Sequence, residues 1–207
     1  MNTLWTFGDS FTNHNYKGID EEIKNEIIQW PDIVSDNLNT KLQNKGIPGN
    51  SNPQIISDIL FHLPKIKQND FIVVGLTTPT RPITVRDNTI QSFMALEYHY
   101  EKNKTPQDID QIKRERICLD YSDEILNKNK EVLSKWYKNQ IKSLLLHLNK
   151  ELKIQYYIFD DSYWSKFQNI NQYTQGKHID FHWSKNGHNS MGKHIIRKLT
   201  NRKQNLL

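Results

Sequence analysis

Two short segments near opposite ends of the chain carry residues that could perform acyl transfer together. Ser10 follows Gly8 and Asp9 directly after an apolar run, and His182 stands two residues after Asp180, just ahead of a helical pattern. A serine hydroxyl becomes a nucleophile when a histidine removes its proton, and a carboxylate then orients the imidazole. On its own, each segment also fits an ordinary turn. Their placement, after the first strand and before the last helix, favours a catalytic triad of Ser10, His182 and Asp180.

Apolar runs and helical periods alternate along the chain and indicate the elements that would position these residues. The runs at 3–7, 70–76 and 153–159 are typical of buried strands. Strands that alternate with helices predict an α/β fold, in which helices cover both faces of a parallel sheet. The helical patterns that separate the strands cover residues 31–42, 55–63, 122–152 and 186–199, and residues 45–52 form a turn region.

Polar clusters follow three of the predicted strands. They are Asp9 with Ser10, Thr77–Thr78 and Asp160–Asp161. The binding crevice of an open parallel sheet lies beyond the carboxyl ends of its strands. We therefore expect these clusters to converge at one edge of the sheet.

Four short blocks of the sequence resemble the SGNH hydrolase family, also called GDSL esterases and lipases. They are Phe-Gly-Asp-Ser-Phe-Thr at 7–12, Gly-Ile-Pro-Gly-Asn-Ser-Asn at 46–52, Val-Gly-Leu-Thr at 74–77, and Asp-Phe-His at 180–182 with a glycine five residues after the histidine. The resemblance implies that Ser10 is the nucleophile and that the backbone N–H groups of Ser10 and Gly49 bind the oxyanion. It also implies a three-layer, flavodoxin-like α/β/α sandwich with about five parallel strands. The chain would then be a single domain, 1–207, with an insertion at about 80–121.

The third block departs from the family pattern at Thr77. In the family this position is an asparagine whose side-chain amide donates to the oxyanion. A threonine hydroxyl can also donate one hydrogen bond, over a shorter reach. We expect Thr77 to be the third oxyanion donor, with Asn50 and Asn52 as alternatives. Weak activity is a further alternative, because loss of one such donor can cost roughly 10²–10³ in rate.

The fourth block departs in its spacing. The family usually has Asp-x-x-His, whereas this chain has Asp-x-His, and the residue three before His182 is Ile179. Isoleucine cannot orient an imidazole, so we assign this role to Asp180. Asp160 or Asp161, at a predicted strand end, is the alternative.

Several polar and aromatic residues beside the four blocks are candidates for binding a substrate. The resemblance implies a small-molecule or glycan ester, with an acetyl or other short acyl group on a carbohydrate as the expectation. Arg81 would meet an anionic or sugar substrate or else anchor its own loop. Trp183 would stack on a sugar or simply pack. The predicted substrate-binding residues are Asp9, Asn50, Thr78, Arg81 and Trp183.

Composition narrows the class of protein and its partners. The chain has 207 residues, enough for one domain with a core, and 36% of them are apolar. The single cysteine, Cys118, rules out an intrachain disulfide. Because no run of 18 apolar residues and no leader-like start occur, we expect a cytoplasmic protein without a membrane partner. The oligomeric state is left open.

We expect neither a metal nor an organic cofactor. The histidines near the C-terminus lack the spacing of a zinc site, and His188 is interpreted as a residue that holds its loop. These histidines are His178, His182, His188 and His194.

Two other classes of function fit parts of the sequence. In the first, the Thr77 departure marks lost activity, and the fold is a binding protein for carbohydrate or another partner. In the second, the basic C-terminal helix binds an anion or nucleic acid with steep salt dependence. Neither class explains the placement of Ser10 and His182, and with a net charge of only +5 we expect no nucleic-acid partner.

Overall fold

Strands and helices alternate along the chain in the computed structural model, which describes residues 1–12, 28–79, 83–86, 89–92, 128–160, 162 and 185–201. The strands are β1 (Thr3–Phe7), β2 (Lys41–Asn44), β3 (Phe71–Gly75), β4 (Ile83–Arg86), β5 (Thr89–Ser92) and β6 (Gln155–Phe159). The helices are α1 (Trp30–Leu38), α2 (Asn52–His62), α3 (Lys130–Leu152) and α4 (Lys185–Thr200), and a 3₁₀ turn at Leu63–Lys65 follows α2.

Strands β1, β2, β3 and β6 form one parallel sheet in the order β2-β1-β3-β6. This is the flavodoxin-like order, in which the first strand lies between the second and third. The predicted fold class is therefore confirmed. One detail is corrected: the described residues contribute four strands to this sheet, not about five. β4 and β5 pair antiparallel with each other as a separate hairpin and do not add to the sheet.

The two faces of the sheet bury separate apolar clusters, because side chains alternate along each strand. Trp5 and Phe7 of β1 face α2 and α3, whereas Leu4 faces α1 and α4. Helices thus cover both faces, as in a three-layer sandwich. The first cluster includes Trp5, Phe7, Ile55, Ile59, Ile72, Val74, Ile141, Leu145 and Leu148. The second includes Leu4, Trp30, Val34, Val73, Tyr157, Phe159, Met191, Ile195 and Leu199.

The predicted helix over 31–42 was too long, and β2 was missed. The helix has proline in its first turn, as helix starts favour. It stops at Leu38, where Asn39 adopts the left-handed conformation with φ 50°. Asparagine tolerates this conformation better than most residues, and such a residue ends many helices. Leu42 matches the helical spacing by coincidence and lies in β2, paired with Leu4.

The hairpin of β4 and β5 lies within the predicted insertion at about 80–121, with β5 beside α2. The remainder of that segment falls outside the described residues, so its role as an insertion stays a prediction. Among the described residues, none of the helices has the length and apolar character needed to cross a membrane.

Candidate active site

Ser10 lies in a tight turn immediately beyond the carboxyl end of β1. The turn is closed by the N–H of Thr12, which donates to the carbonyl oxygen of Asp9 at 2.9 Å. Oδ1 of Asp9 also accepts a hydrogen bond from the N–H of Phe11 at 3.0 Å. Aspartate often stabilises a turn in this way. Ser10 is half-buried and Asp9 is buried. Asp9 therefore holds the turn, and its contact with a substrate stays a prediction.

Gly8 lets three chain segments approach one another behind this turn. A Cβ atom on Gly8 would overlap Oγ1 of Thr12 and would lie 3.1 Å from the carbonyl oxygen of Gly75. The carbonyl oxygen of Gly8 accepts a hydrogen bond of 3.0 Å from the N–H of Ile47. The segments that follow β1, β2 and β3 therefore lie close together around Gly8.

Ser10 and Thr77 lie beyond the two strands between which the strand order reverses. β1 and β3 are neighbours, and Phe7 pairs with Val74. Ser10 is three residues beyond Phe7, and Thr77 is three residues beyond Val74. In flavodoxin-like sheets, ligands bind in the crevice at this switch point. Two of the polar clusters that were predicted to converge, Asp9 with Ser10 and Thr77 with Thr78, therefore follow neighbouring strands.

Asn50 ties the second block to the turn that carries Ser10. Its Nδ2 atom lies 3.4 Å from the carbonyl oxygen of Gly8 and 3.1 Å from Oδ2 of Asp58. Since an amide has two hydrogens, both are directed at acceptors within the protein. Burial raises the pKa of Asp58, although hydrogen bonds from Gln54 and Asn50 act in the opposite direction. Gly49, the predicted oxyanion donor, is half-buried and has φ 77°. This left-handed conformation favours glycine.

Asn52 joins the second block to the third. Its side-chain amide exchanges two hydrogen bonds of 2.9 Å with the backbone N–H and carbonyl of Thr77. Thr77 is buried, and within the described part of the chain its Oγ1 atom has no hydrogen-bond partner. Buried polar atoms without partners are uncommon in folded proteins. The neighbouring Thr78 is half-buried.

The Asp160 carboxylate, an alternative orienting group for His182, is engaged elsewhere. It accepts a hydrogen bond of 2.8 Å from Nζ of Lys138 and further bonds from the N–H and hydroxyl of Ser162. Burial acts to raise the pKa of Asp160, but the hydrogen bonds and the Lys138 charge outweigh it, so this pKa is lowered. The choice among Asp180, Asp160 and Asp161 as the partner of His182 stays a prediction.

The other predicted site residues fall outside the described part of the chain. They are Arg81, Asp161, Asp180, His182 and Trp183. The structure therefore brings together the turn that carries Ser10 with the second and third blocks, and the catalytic roles of all these residues stay predictions.

His188 lies within the described residues and makes a contact that links two helices. It is fully buried in α4, and its Nδ1 atom accepts a hydrogen bond from the N–H of Trp30. Across the described ranges, no cluster of three or more histidine, cysteine, aspartate or glutamate side chains is arranged to hold a metal ion.

Sequence reasoning missed Trp30 and Asp58, and it considered Asn52 only as an oxyanion donor and not as the residue that holds Thr77. Trp30 donates from its indole N–H to the carbonyl oxygen of Phe11 at 2.8 Å, Asp58 holds Asn50, and Asn52 holds Thr77. Asn52 and Asp58 belong to α2, where an Asn-Pro start signals only a helix terminus. Their partners are 8 and 25 residues away in sequence, so no local pattern could have identified these contacts.

Solved structures of three proteins are similar to the chain. A protein from Desulfitobacterium hafniense, described as a lipolytic protein of the G-D-S-L family, is 16% identical, with 96% of this chain and 100% of that chain covered and a TM-score of 0.41. A lipolytic G-D-S-L family protein from Veillonella parvula is 14% identical, with coverages of 97% and 99% and a TM-score of 0.42.

The third is a carbohydrate esterase whose active site displays divergent catalytic and non-catalytic binding functions. It is 16% identical, with 98% of this chain and 68% of that chain covered and a TM-score of 0.42. No protein-family model and no curated protein match the chain. The sheet order and the helices on both of its faces give the chain the three-layer, flavodoxin-like α/β/α fold that was predicted.

Proposed function

We propose that the protein is a serine esterase that removes a short acyl group, an acetyl group in the first instance, from a carbohydrate. The observation that carries the proposal is the position of Ser10. It stands in a tight turn beyond β1, at the switch point of the sheet, and Thr77 follows the neighbouring strand at the same distance.

In the proposed reaction, His182 removes the proton from Ser10, and Oγ of Ser10 attacks the ester carbonyl. The negative charge on the carbonyl oxygen is bound by the N–H groups of Ser10 and Gly49 and by the hydroxyl of Thr77. His182 then protonates the departing alcohol, which leaves an acyl group on Ser10. Water, deprotonated by His182, hydrolyses this acyl-enzyme. Asp180 orients the imidazole and stabilises its charged form.

The carbohydrate part of the proposal follows from the resemblance to SGNH hydrolases and from the residues near the four blocks. Trp183 stands next to His182 in the sequence, and an indole ring is a suitable surface for stacking a sugar. The chain is otherwise polar, with 36% apolar residues. Acetylated oligosaccharides should therefore be better substrates than long-chain p-nitrophenyl esters.

The test combines hydrolysis of p-nitrophenyl acetate with covalent labelling of the protein by a fluorophosphonate. Ser10→Ala should abolish both, and His182→Ala should lower both strongly, because the serine is then no longer deprotonated. Ser190→Ala and His147→Ala are matched controls, since Ser190 and His147 are exposed on α4 and α3. Circular dichroism checks that each variant folds.

Labelling that maps by mass spectrometry to a residue other than Ser10 contradicts the proposed nucleophile. A folded wild-type protein with neither hydrolysis nor labelling contradicts the esterase. In that case, binding of acetylated oligosaccharides, measured by calorimetry, tests the alternative of a catalytically inactive carbohydrate-binding protein.

A further inference from the structure

Two hydrogen bonds from a single side chain hold the backbone of Thr77. Nδ2 of Asn52 donates to the carbonyl oxygen of Thr77, and Oδ1 of Asn52 accepts from its N–H, each at 2.9 Å. Both residues are only 2% exposed. An asparagine amide has a donor and an acceptor side by side, so it can satisfy both main-chain groups of one residue at once.

These two hydrogen bonds replace the strand pairing immediately after the end of β3. The N–H of Leu76 still bonds to the carbonyl oxygen of Phe159, as a strand residue would. Thr77 is the next residue, and its main-chain groups pair with Asn52. A buried main-chain group without a partner is costly. Asn52 therefore keeps the Thr77 backbone in a single position after the strand pairing has ended.

The same bonds leave the Thr77 hydroxyl as the polar group of this residue that has no partner within the described chain. The side-chain amide of Asn50 is occupied, because its two hydrogens are directed at the carbonyl oxygen of Gly8 and at the carboxylate of Asp58. Of the three groups considered as the third oxyanion donor, the Thr77 hydroxyl is the one that makes no hydrogen bond within the described chain, whereas the amides of Asn50 and Asn52 are already bonded.

We propose that Asn52 is a positioning residue of the active site, which holds Thr77 so that its hydroxyl donates to the oxyanion. Asn52 does not touch the substrate in this assignment and acts through Thr77. The inference rests on the proposed esterase function, which it extends by explaining how a short threonine side chain can occupy a position usually held by asparagine.

A double-mutant cycle tests the proposal with kcat and KM for p-nitrophenyl acetate. Thr77→Val removes the hydroxyl at constant shape, and Asn52→Leu removes both hydrogen bonds. Each single variant should lower kcat roughly 10²-fold, as loss of an oxyanion donor does, with little change in KM. The double variant should be no slower than the slower single variant, because both substitutions remove the same interaction.

Asn149→Leu is the matched control. Nδ2 of Asn149 also donates to a backbone carbonyl, that of Ile154, but at the junction of α3 and β6. This variant should lose stability and keep kcat. If Asn52→Leu does not fold, Asn52→Asp replaces it in the cycle, since aspartate has the same shape and keeps only the acceptor.

Losses of kcat that multiply in the double variant would overturn the proposal, as would an unchanged kcat in the folded Asn52 variant. An inactive wild-type protein contradicts the proposed function separately. The exchange rate of the Thr77 amide hydrogen with deuterium then decides whether Asn52 holds Thr77. Substitution of Asn52 should raise that rate about tenfold or more above the Asn149 control, and an equal rate refutes the positioning role.

Discussion

Nδ1 of His188 accepts a hydrogen bond of 3.2 Å from the backbone N–H of Trp30, across 158 positions of sequence. Both residues are fully buried. Trp30 begins α1, whose first-turn N–H groups have no partner within the helix. His188 lies in α4, and the same Trp30 also bonds through its indole to Phe11, next to Ser10. Trp30 thus joins the turn that carries Ser10 to α4, the helix that follows His182 in the sequence.

We predict that His188→Leu destabilises the protein by about 1–3 kcal/mol, because it leaves the buried N–H of Trp30 without its acceptor. Urea unfolding followed by tryptophan fluorescence measures the change. His147→Leu, at an exposed position on α3, should leave the unfolding free energy nearly unchanged. Equal stabilities of the two variants would show that the Trp30–His188 bond contributes nothing.

Gly8→Ala should destabilise the protein by about 1–3 kcal/mol, as overpacking of a tight interior does. The new methyl group would overlap Oγ1 of Thr12 and press on the carbonyl of Gly75. Thermal unfolding is the measurement. Adding Thr12→Ala removes the overlapping hydroxyl, so it should restore part of the loss. A double variant no more stable than Gly8→Ala would place the strain elsewhere.

Lys138→Met tests the pair that Lys138 makes with Asp160. The pKa of Asp160 is lowered in the folded protein, since bonds from Lys138 and Ser162 outweigh burial. A lowered carboxyl pKa adds stability above the unfolded pKa, and this stability is lost as the pH falls through the folded pKa. Lys138 is 48% exposed, so the variant should lose only about 0.2–1 kcal/mol at pH 7.

The difference between wild type and Lys138→Met should shrink as the pH falls through the lowered pKa of Asp160, since below that pKa the carboxyl is protonated in both proteins. Urea unfolding over a pH series measures it. A difference that stays constant down to the lowest pH would mean that packing of the lysine stem, and not the ion pair, stabilises the native state.

His62→Phe should make the protein less sensitive to mild acid. His62 packs its ring on Trp5 and Phe7 at centroid distances of 5.6 and 6.2 Å. Burial, together with the charges of Lys45 and Lys65, lowers its pKa, which the Asp58 charge only partly offsets. A lowered histidine pKa gives stability above the unfolded pKa, and this is lost as the pH falls through the folded value.

The melting temperature of wild type should therefore fall more steeply than that of His62→Phe as the pH is lowered from about 7 to 5. Phenylalanine keeps the ring packing without a proton to bind. Parallel curves for the two proteins over this range would show that His62 does not contribute to the acid response.

Much of the architecture was predictable from the sequence because it depends on local patterns. The apolar runs of β1, β3 and β6 and the helical periods of α2, α3 and α4 each identify their own element, and alternation of the two types predicts a parallel sheet between helices. The turn at Ser10 was predictable for the same reason, since glycine and aspartate shape it within a few residues. β2 was not predictable: its mixed residues show no strand pattern, and Leu42 continued the helical spacing of α1.

The contacts that build the candidate site were decided by tertiary structure alone. The placement of residues in the sequence pointed to Ser10, and the resemblance to SGNH hydrolases implied Gly49 and Thr77, but Asn50 and Asn52 stayed open as alternatives to Thr77. Asn50 and Asn52 became distinct only when the sheet order placed the ends of β1 and β3 side by side. In the folded chain, Asn50 forms hydrogen bonds with Gly8 and Asp58, and Asn52 forms hydrogen bonds with the backbone of Thr77. Hydrogen bonds depend on distances of about 3 Å between atoms, and a linear order of residues specifies no such distance until the chain has folded.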